Sequence, residues 1–357
     1  MKLSLKLLKL LTIIALTTSN IACAISPSTT ATETSAKPVG KQEQVNQVIF
    51  TLSGHSQSVQ TIAITPDGKT LVSGSNDNTV KIWNLQTGQL LKTLEEHEDS
   101  VTSVAITPDG QTLVSGSNDN TVKIWNLKTG KLLRTLNQNK HEVTSIIISR
   151  DGETLVSASR DNTIKFWNIK SGELQRTLKA QTVSLAISAD SKTLFSGNYD
   201  GTIQLFDTAT GKLLQTLTPP LTNPYAQTEN ATPVSSLAIS NDGKNLINSA
   251  YDDSHLSIQG TNSNNIRIWN LQTGKLTHEF SVGIGAVDSV AISPDGKTFA
   301  SGGYAYEISL WDVNTGKKLR TLSAKQGGVN AIAFSQDGKI LVSSSGNKSI
   351  KVWRLSN

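Results

Sequence analysis

Cysteine is almost missing from this chain. Of 357 residues only Cys23 is a cysteine, so no disulfide can support the body of the protein in any redox compartment. There are five histidines, and no His/Cys cluster has metal-ligand spacing. No glycine-rich phosphate loop and no nucleophile elbow is present. Asp252 and Asp253 near His255 offer too few oxygen ligands for a calcium loop. Basic runs are also lacking. The formal charge is +5, but setting aside Lys2, Lys6 and Lys9 leaves 30 basic against 28 acidic residues, a balance that argues against nucleic acid as a partner. The uncharged stretch from Leu10 to Ala24 has 15 residues, short for a membrane span. These absences leave no catalytic site, no cofactor and no metal to expect.

That uncharged stretch belongs to a leader. Lys2, Lys6 and Lys9 give a positive start, Leu10 to Thr18 is apolar, and small residues follow. Residues 1–24 are therefore expected to be a signal peptide that sends a bacterial protein to the periplasm or beyond. Two cleavage readings stand open. Ala22-Cys23-Ala24 is an A-x-A site that releases a protein beginning at Ile25. Alternatively, Ala22-Cys23 resembles the end of a lipobox, which makes Cys23 the lipidation site and the lipid the only tie to a membrane; Asn20 departs from that motif. Residues 25–46, rich in Ser, Thr, Ala, Lys and Pro, are expected to be a flexible linker.

What the chain does contain is a repeat. Residues 65–85 and 107–127 differ only at Lys69 and Gln111. The same register ends at Trp83, Trp125, Trp167, Phe206, Trp269, Trp311 and Trp353, with spacings of 42, 42, 39, 63, 42 and 42. Short apolar runs between turn residues at this period are the mark of propeller blades. In the first repeat, alternation predicts a strand over Val59 to Thr65. Pro66-Asp67-Gly68 then turns the chain. Further strands are predicted over Thr70 to Ser75, Thr79 to Leu85 and Gln89 to Leu94. The third is apolar on both faces, as a sheet packed between two neighbours requires. The seventh repeat lacks its outer strand, and Gln47 to Leu52 matches Gln89 to Leu94 in register. Pairing the first strand with the last blade closes the ring. The expected fold is all-β: a seven-bladed propeller of four-stranded antiparallel blades over 47–357, monomeric.

Across 47–355 the chain resembles the WD-repeat β-propellers. That resemblance implies a hydrogen-bonded His-Ser-Asp-Trp tetrad in each blade. Carried over by register, blade one has His55, Ser73, Asp77 and Trp83, and blade two has His97, Ser115, Asp119 and Trp125. Blade three keeps Ser157, Asp161 and Trp167, with His141 two residues out of place. Blade four has Ser196 and Asp200 with Phe206. In blades five to seven the aspartate position holds Ser263, Ala305 and Asn347.

The repeat is broken in one place. Ten extra residues lie between Leu217 and Val234, and eleven between Leu246 and Trp269. One insertion precedes the innermost strand of blade five and the other joins its second and third strands. In an up-and-down blade both connections leave on the same face, and long loops on a rigid scaffold are where binding concentrates. All five tyrosines are expected there: Tyr199, Tyr225, Tyr251, Tyr304 and Tyr306, with Arg160 at the position matching Tyr199. Tyrosine and arginine are favoured interface anchors; these rings also have the plainer use of packing their own loops. The reading is a non-enzymatic scaffold binding a protein or peptide through this face. The rivals are an extracytoplasmic enzyme or small-ligand binder using the central channel, and a purely structural envelope protein.

Overall fold

The second residue of every Pro-Asp-Gly-like turn explains why two strands meet there. In blade one the Asp67 carboxylate accepts from the Thr65 hydroxyl at 2.6 Å and from the Lys69 amide at 3.0 Å, while Gly68 takes a φ of 69°. The turn thereby fixes Val59–Ile64 antiparallel to Thr70–Ser75. The same hydroxyl–carboxylate lock recurs in the other six repeats, as Thr107–Asp109, Ser149–Asp151, Ser188–Asp190, Ser240–Asp242, Ser293–Asp295 and Ser335–Asp337. Hydroxyl donation holds these carboxyls below their ordinary range.

The computed structural model describes residues 47–220, 233–250, 265–282, 287–324 and 327–355. Within them, seven four-stranded antiparallel sheets make a seven-bladed propeller. The innermost strands are Val59–Ile64, Val101–Ile106, Val143–Ile148, Thr182–Ile187, Val234–Ile239, Val287–Ile292 and Val329–Phe334. Each packs against the next, and the last packs against the first. In blade one the third and outer strands run over Val80–Asn84 and Leu90–Leu94, the third one residue shorter at each end and the outer one residue shorter at its start than the sequence suggests. The two extra lengths of blade five fall after the strand ending at Leu217 and after the strand ending at Ala250. Residues 1–46, which carry the expected leader, linker and Cys23, lie outside the described residues.

The hydrophobic core is divided into seven, and each part sits between two blades. The cluster of Val72, Val80 and Ile82 with Val101, Leu113 and Trp125 joins blade one to blade two. A blade therefore buries both faces only when it has a neighbour on each side. The approach is close: a Cβ added to Gly74 would lie 2.5 Å from Val101 Cγ1 and 2.8 Å from Thr61 Cγ2. Hydroxyls tie adjacent innermost strands together. Thr61, Ser103, Ser145, Ser236 and Ser289 each accept from a backbone amide of the next blade at 3.0–3.2 Å.

The ring closes as the register implies. Gln47–Ser53 is the outer strand of blade seven, after Val329–Phe334, Ile340–Ser345 and Ser349–Arg354. Leu52 pairs with Ile350, Phe50 with Val352 and Val48 with Trp353. Leu52 is buried with Ile350, Val352 and Trp83, in the core shared by blades seven and one. Leu52→Ala should thus cost about 2–4 kcal/mol in urea melts, while Leu91→Ala, at a half-exposed outer-strand position, should stay within about 0.5 kcal/mol. Equal costs would mean that closure does not carry the fold. Deleting 47–52 leaves an open strand edge and should reduce solubility.

Candidate binding face

Two complete polar chains buttress one face of the disc. In blade one, Trp83 Nε1 donates to Ser73 Oγ at 2.8 Å, and His55 Nε2 lies 2.8 Å from the same oxygen. The Asp77 carboxylate can only accept, so His55 Nδ1 donates to it at 2.9 Å, and in the neutral ring that burial favours, Nε2 accepts from the serine hydroxyl. Burial pushes the His55 imidazole below its ordinary value, against the pull of Asp77. Burial alone would raise the Asp77 carboxyl, but Thr79, the Ser56 amide and His55 together hold it at about 2. Blade two repeats the arrangement, with His97 to Asp119 at 2.6 Å, His97 to Ser115 at 2.7 Å and Trp125 to Ser115 at 2.9 Å.

The other blades keep part of it. Tryptophan donates to Ser157, Ser301 and Ser343 at 2.8–3.1 Å, and in blade five to the side-chain oxygen of Asn248 at 2.8 Å. Blade three departs in a way the sequence reading missed. His141 is exposed, and the residue in register with His55 and His97 is Asn139. Asn139 is buried with neither amide atom paired. Lys165 instead reaches Asp161 at 2.9 Å inside the protein, whereas its counterpart Lys81 bonds Thr93 in the outer strand. In blade four Phe206 has no N–H to offer, and Ser196 pairs with Thr182 and Asn198. Asn347 in blade seven keeps one duty of the missing aspartate, accepting from the amide and hydroxyl of Ser349. Ser263 lies outside the described residues.

The connections before the innermost strand and between the second and third strands share a face. The backbone amides of Asn76, Asn118, Arg160, Tyr199 and Gly346 donate to the carbonyls of Ser58, Ser100, Glu142, Gln181 and Gly328 at 2.9–3.2 Å. Arg160 and Tyr199 therefore occupy equivalent places in their blades, and by register Tyr304 holds the same place in blade six. Arg160 is exposed, as are Tyr199 (37%), Tyr304 (61%) and Tyr306 (53%). Tyr225 and Tyr251 lie outside the described residues. Tyr306 is unusual in its backbone. Its φ of 57° puts a bulky ring in the left-handed region, where blades one to three place Asn78, Asn120 and Asn162 at 61–68°, blade four Gly201 at 78° and blade seven Lys348 at 74°. The signal was present in the sequence, as a tyrosine closing a turn that three earlier repeats close with asparagine. Among the described residues no three of His, Cys, Asp and Glu come together as a metal site.

Residues 46–84, 88–126, 274–312 and 316–354 match the model of the WD domain, G-beta repeat. The chain carries WD40 repeats. Residues 117–260 match a second model, the NWD2 C-terminal beta-propeller. Among curated proteins, the Notchless protein homolog of Arabidopsis thaliana is 46% identical over 43 residues, 12% of this chain and 9% of that protein. Apoptotic protease-activating factor 1 of Mus musculus is 46% identical over 43 residues, 12% of this chain and 3% of that protein. Protein FIZZY-RELATED 1 of Arabidopsis thaliana is 46% identical over 37 residues, 10% of this chain and 8% of that protein. Each match is about one WD40 repeat long, and this chain spans less than a tenth of each relative. WD40 propellers are typically protein-interaction scaffolds.

The polar chains make a graded prediction. Ser73→Ala leaves both Trp83 Nε1 and His55 Nε2 unpaired in the interior, at about 1–3 kcal/mol for each. Ser343→Ala leaves only Trp353. Urea melts should rank the first variant as clearly the less stable. A group held low stabilises the fold above its unfolded pKa and loses that contribution as pH falls through the folded value. Asp77→Asn should therefore flatten the stability profile between about pH 4 and pH 2. An unchanged acid limb would show that Asp77 is not part of it.

Proposed function

We propose that this protein is a non-enzymatic scaffold outside the cytoplasm that binds a protein or peptide through the face bearing the two blade-five connections. The observation that carries the reading is Tyr306. A non-glycine residue in the left-handed region costs about 1–2 kcal/mol, and asparagine, used by three other blades, lowers that cost. A strained, half-exposed aromatic is a reason to look for a ligand. Tyr199, Tyr304 and Arg160 on the same face supply further anchors of the kind that dominate interfaces. The WD40 fold supports the class of partner, and the leader-like residues 1–24 support the location.

Tyr306→Asn should stabilise the protein by about 1 kcal/mol while weakening retention of a partner captured from the envelope fraction of the native host. Tyr225→Ala with Tyr251→Ala should weaken it too, and Lys69→Ala on the opposite face should be silent. A partner that ignores the tyrosines and protects the Pro-Asp-Gly turns would move the binding site to the other face. Mass spectrometry of the host protein tests the location: an acylated Cys23 or a free Ile25 supports export, and an intact Met1 overturns it.

A further inference from the structure

Every innermost strand carries a β-bulge at its second residue. Those residues are Gln60, Thr102, Thr144, Val183, Ser235, Asp288 and Asn330. Four of them tie their blade to the next by donating to the carbonyl of its first residue. Thr102 reaches Val143 at 2.6 Å, Thr144 reaches Thr182 at 3.3 Å, Ser235 reaches Val287 at 2.9 Å, and Asn330 Nδ2 reaches Val59 at 2.9 Å. An ionised carboxylate has no hydrogen to give in this way. Among the described residues Asp288 has no hydrogen-bond or ion-pair partner, and burial is the influence on its carboxyl, pushing it up to about 6. The strands packed against Val287–Ile292 are Val234–Ile239, Asn245–Ala250, Thr298–Gly303 and Val329–Phe334. None of the four carries an ionisable side chain.

Asp288 lines a cavity of about 440 Å³ that spans blades six, seven and one, together with Ser58, Gln60, Tyr304 and Asn330. The Tyr304 phenol is the only other titratable group in that lining. The walls are rich in acceptors. Asn330 spends its amide nitrogen on Ser58 Oγ and the Val59 carbonyl, and Gln60 spends its own on Ser58. Their two amide oxygens and the Asp288 carboxylate have no donor among the described residues. A single carboxylate is too little for a divalent cation, which takes several hard oxygen ligands. It suits one positive charge that brings several N–H donors, as a lysine or arginine side chain does. The exposed Tyr304 ring at the cavity can cover the aliphatic stem of such a side chain and attract its cation.

Resting on the reading that this face binds a partner, the geometry points to a cation pocket: the cavity receives one lysine or arginine side chain of the partner, seated on the Asp288 carboxylate. The carboxylate serves the fold poorly where it stands, because threonine, serine or asparagine at that place joins two blades. A carboxyl whose pKa is raised by folding stabilises the folded state only when protonated, so its cost is absent below the unfolded value near pH 4 and complete above about pH 6. Asp288→Asn should accordingly raise Tm at pH 7.5 and give little gain at pH 4.

Binding is tested on the full chain with capped peptides Gly-Ser-Lys-Ser-Gly and Gly-Ser-Arg-Ser-Gly, the glutamine peptide as neutral control, and spermidine as a free cation. Amide shifts confined to residues 58–60, 288, 304 and 330 are expected with the basic peptides and not with the neutral one. Asp288→Asn should weaken binding at least tenfold. Lowering the pH from 7.5 to 5 should weaken wild-type binding about tenfold, as one in ten carboxyls stays ionised, a measurement that stands even if the variant fails to fold. The proposal is overturned if neither basic peptide binds, if Asp288→Asn binds them undiminished, or if spermidine alone enters the cavity. Loss of this pocket with partner capture still sensitive to Tyr306→Asn would refute the cation site and leave the binding face standing.

Discussion

No blade of this propeller can bury its own faces. Each of the seven apolar clusters is assembled from two adjacent blades, so the whole core exists only as a closed circle. Closure in turn rests on one strand, Gln47–Ser53, supplied from the opposite end of the sequence to the rest of its blade. Two further contacts reinforce that join. Leu52 enters the core between blades seven and one, and Asn330 crosses the same boundary to bond Ser58 and Val59. A long-range pairing of this kind is entropically costly to form, and it removes the sheet edge that would otherwise invite pairing with another chain.

Within that frame the polar chains fall into a constant part and a variable part. The tryptophan N–H finds a side-chain oxygen from the second strand in all six blades that have the ring, whether serine or asparagine supplies it. A buried indole without an acceptor is expensive, so this bond survives every departure from the repeat. The histidine–aspartate half is optional, because each of its members has a second use or a substitute. Aspartate also caps the turn before the third strand, a duty Asn347 performs without a histidine. Lys165 takes the place of an imidazole as the donor to Asp161, although it leaves Asn139 unpaired.

Most of the fold is legible in the sequence because the repeat states the same instruction seven times. The anchors at period 42, the aspartate-glycine turns and the displaced outer strand at Gln47 are all matters of register, and register is what a repeat displays. The bulges were less plain, though their trace exists. Val59 and Ile62 are both buried at a spacing of three, which strict alternation along a strand does not allow. The pairs Val101/Val104, Val143/Ile146, Val287/Val290 and Val329/Ile332 show the same spacing. Asp288 was invisible for this reason: a polar residue second in a strand reads as the solvent side of a hairpin until the bulge turns it toward the cavity. Lys165 was invisible for another, since its sequence context matches Lys81 and only the missing imidazole frees Asp161 to receive it.

The candidate site is legible where it breaks the repeat, and hidden where it follows it. Tyr306 and Asp288 both occupy positions that several other blades fill differently: asparagine in the left-handed turn of three blades and glycine in a fourth, and a donor to the next blade at four of the bulges. Both choices work against stability, one through backbone strain and the other through a partly buried charge with no partner among the described residues. Residues that weaken local structure without an evident compensating contact are where function and folding compete. The two lie on one blade, Asp288 in its innermost strand and Tyr306 in the connection after its second strand, with Tyr304 joining the cavity to the exposed rings. Strain and charge thus converge on blade six, next to the blade that carries the insertions. A repeat protein has many equivalent surfaces, and the departures from its own consensus are what make one of them different from the rest.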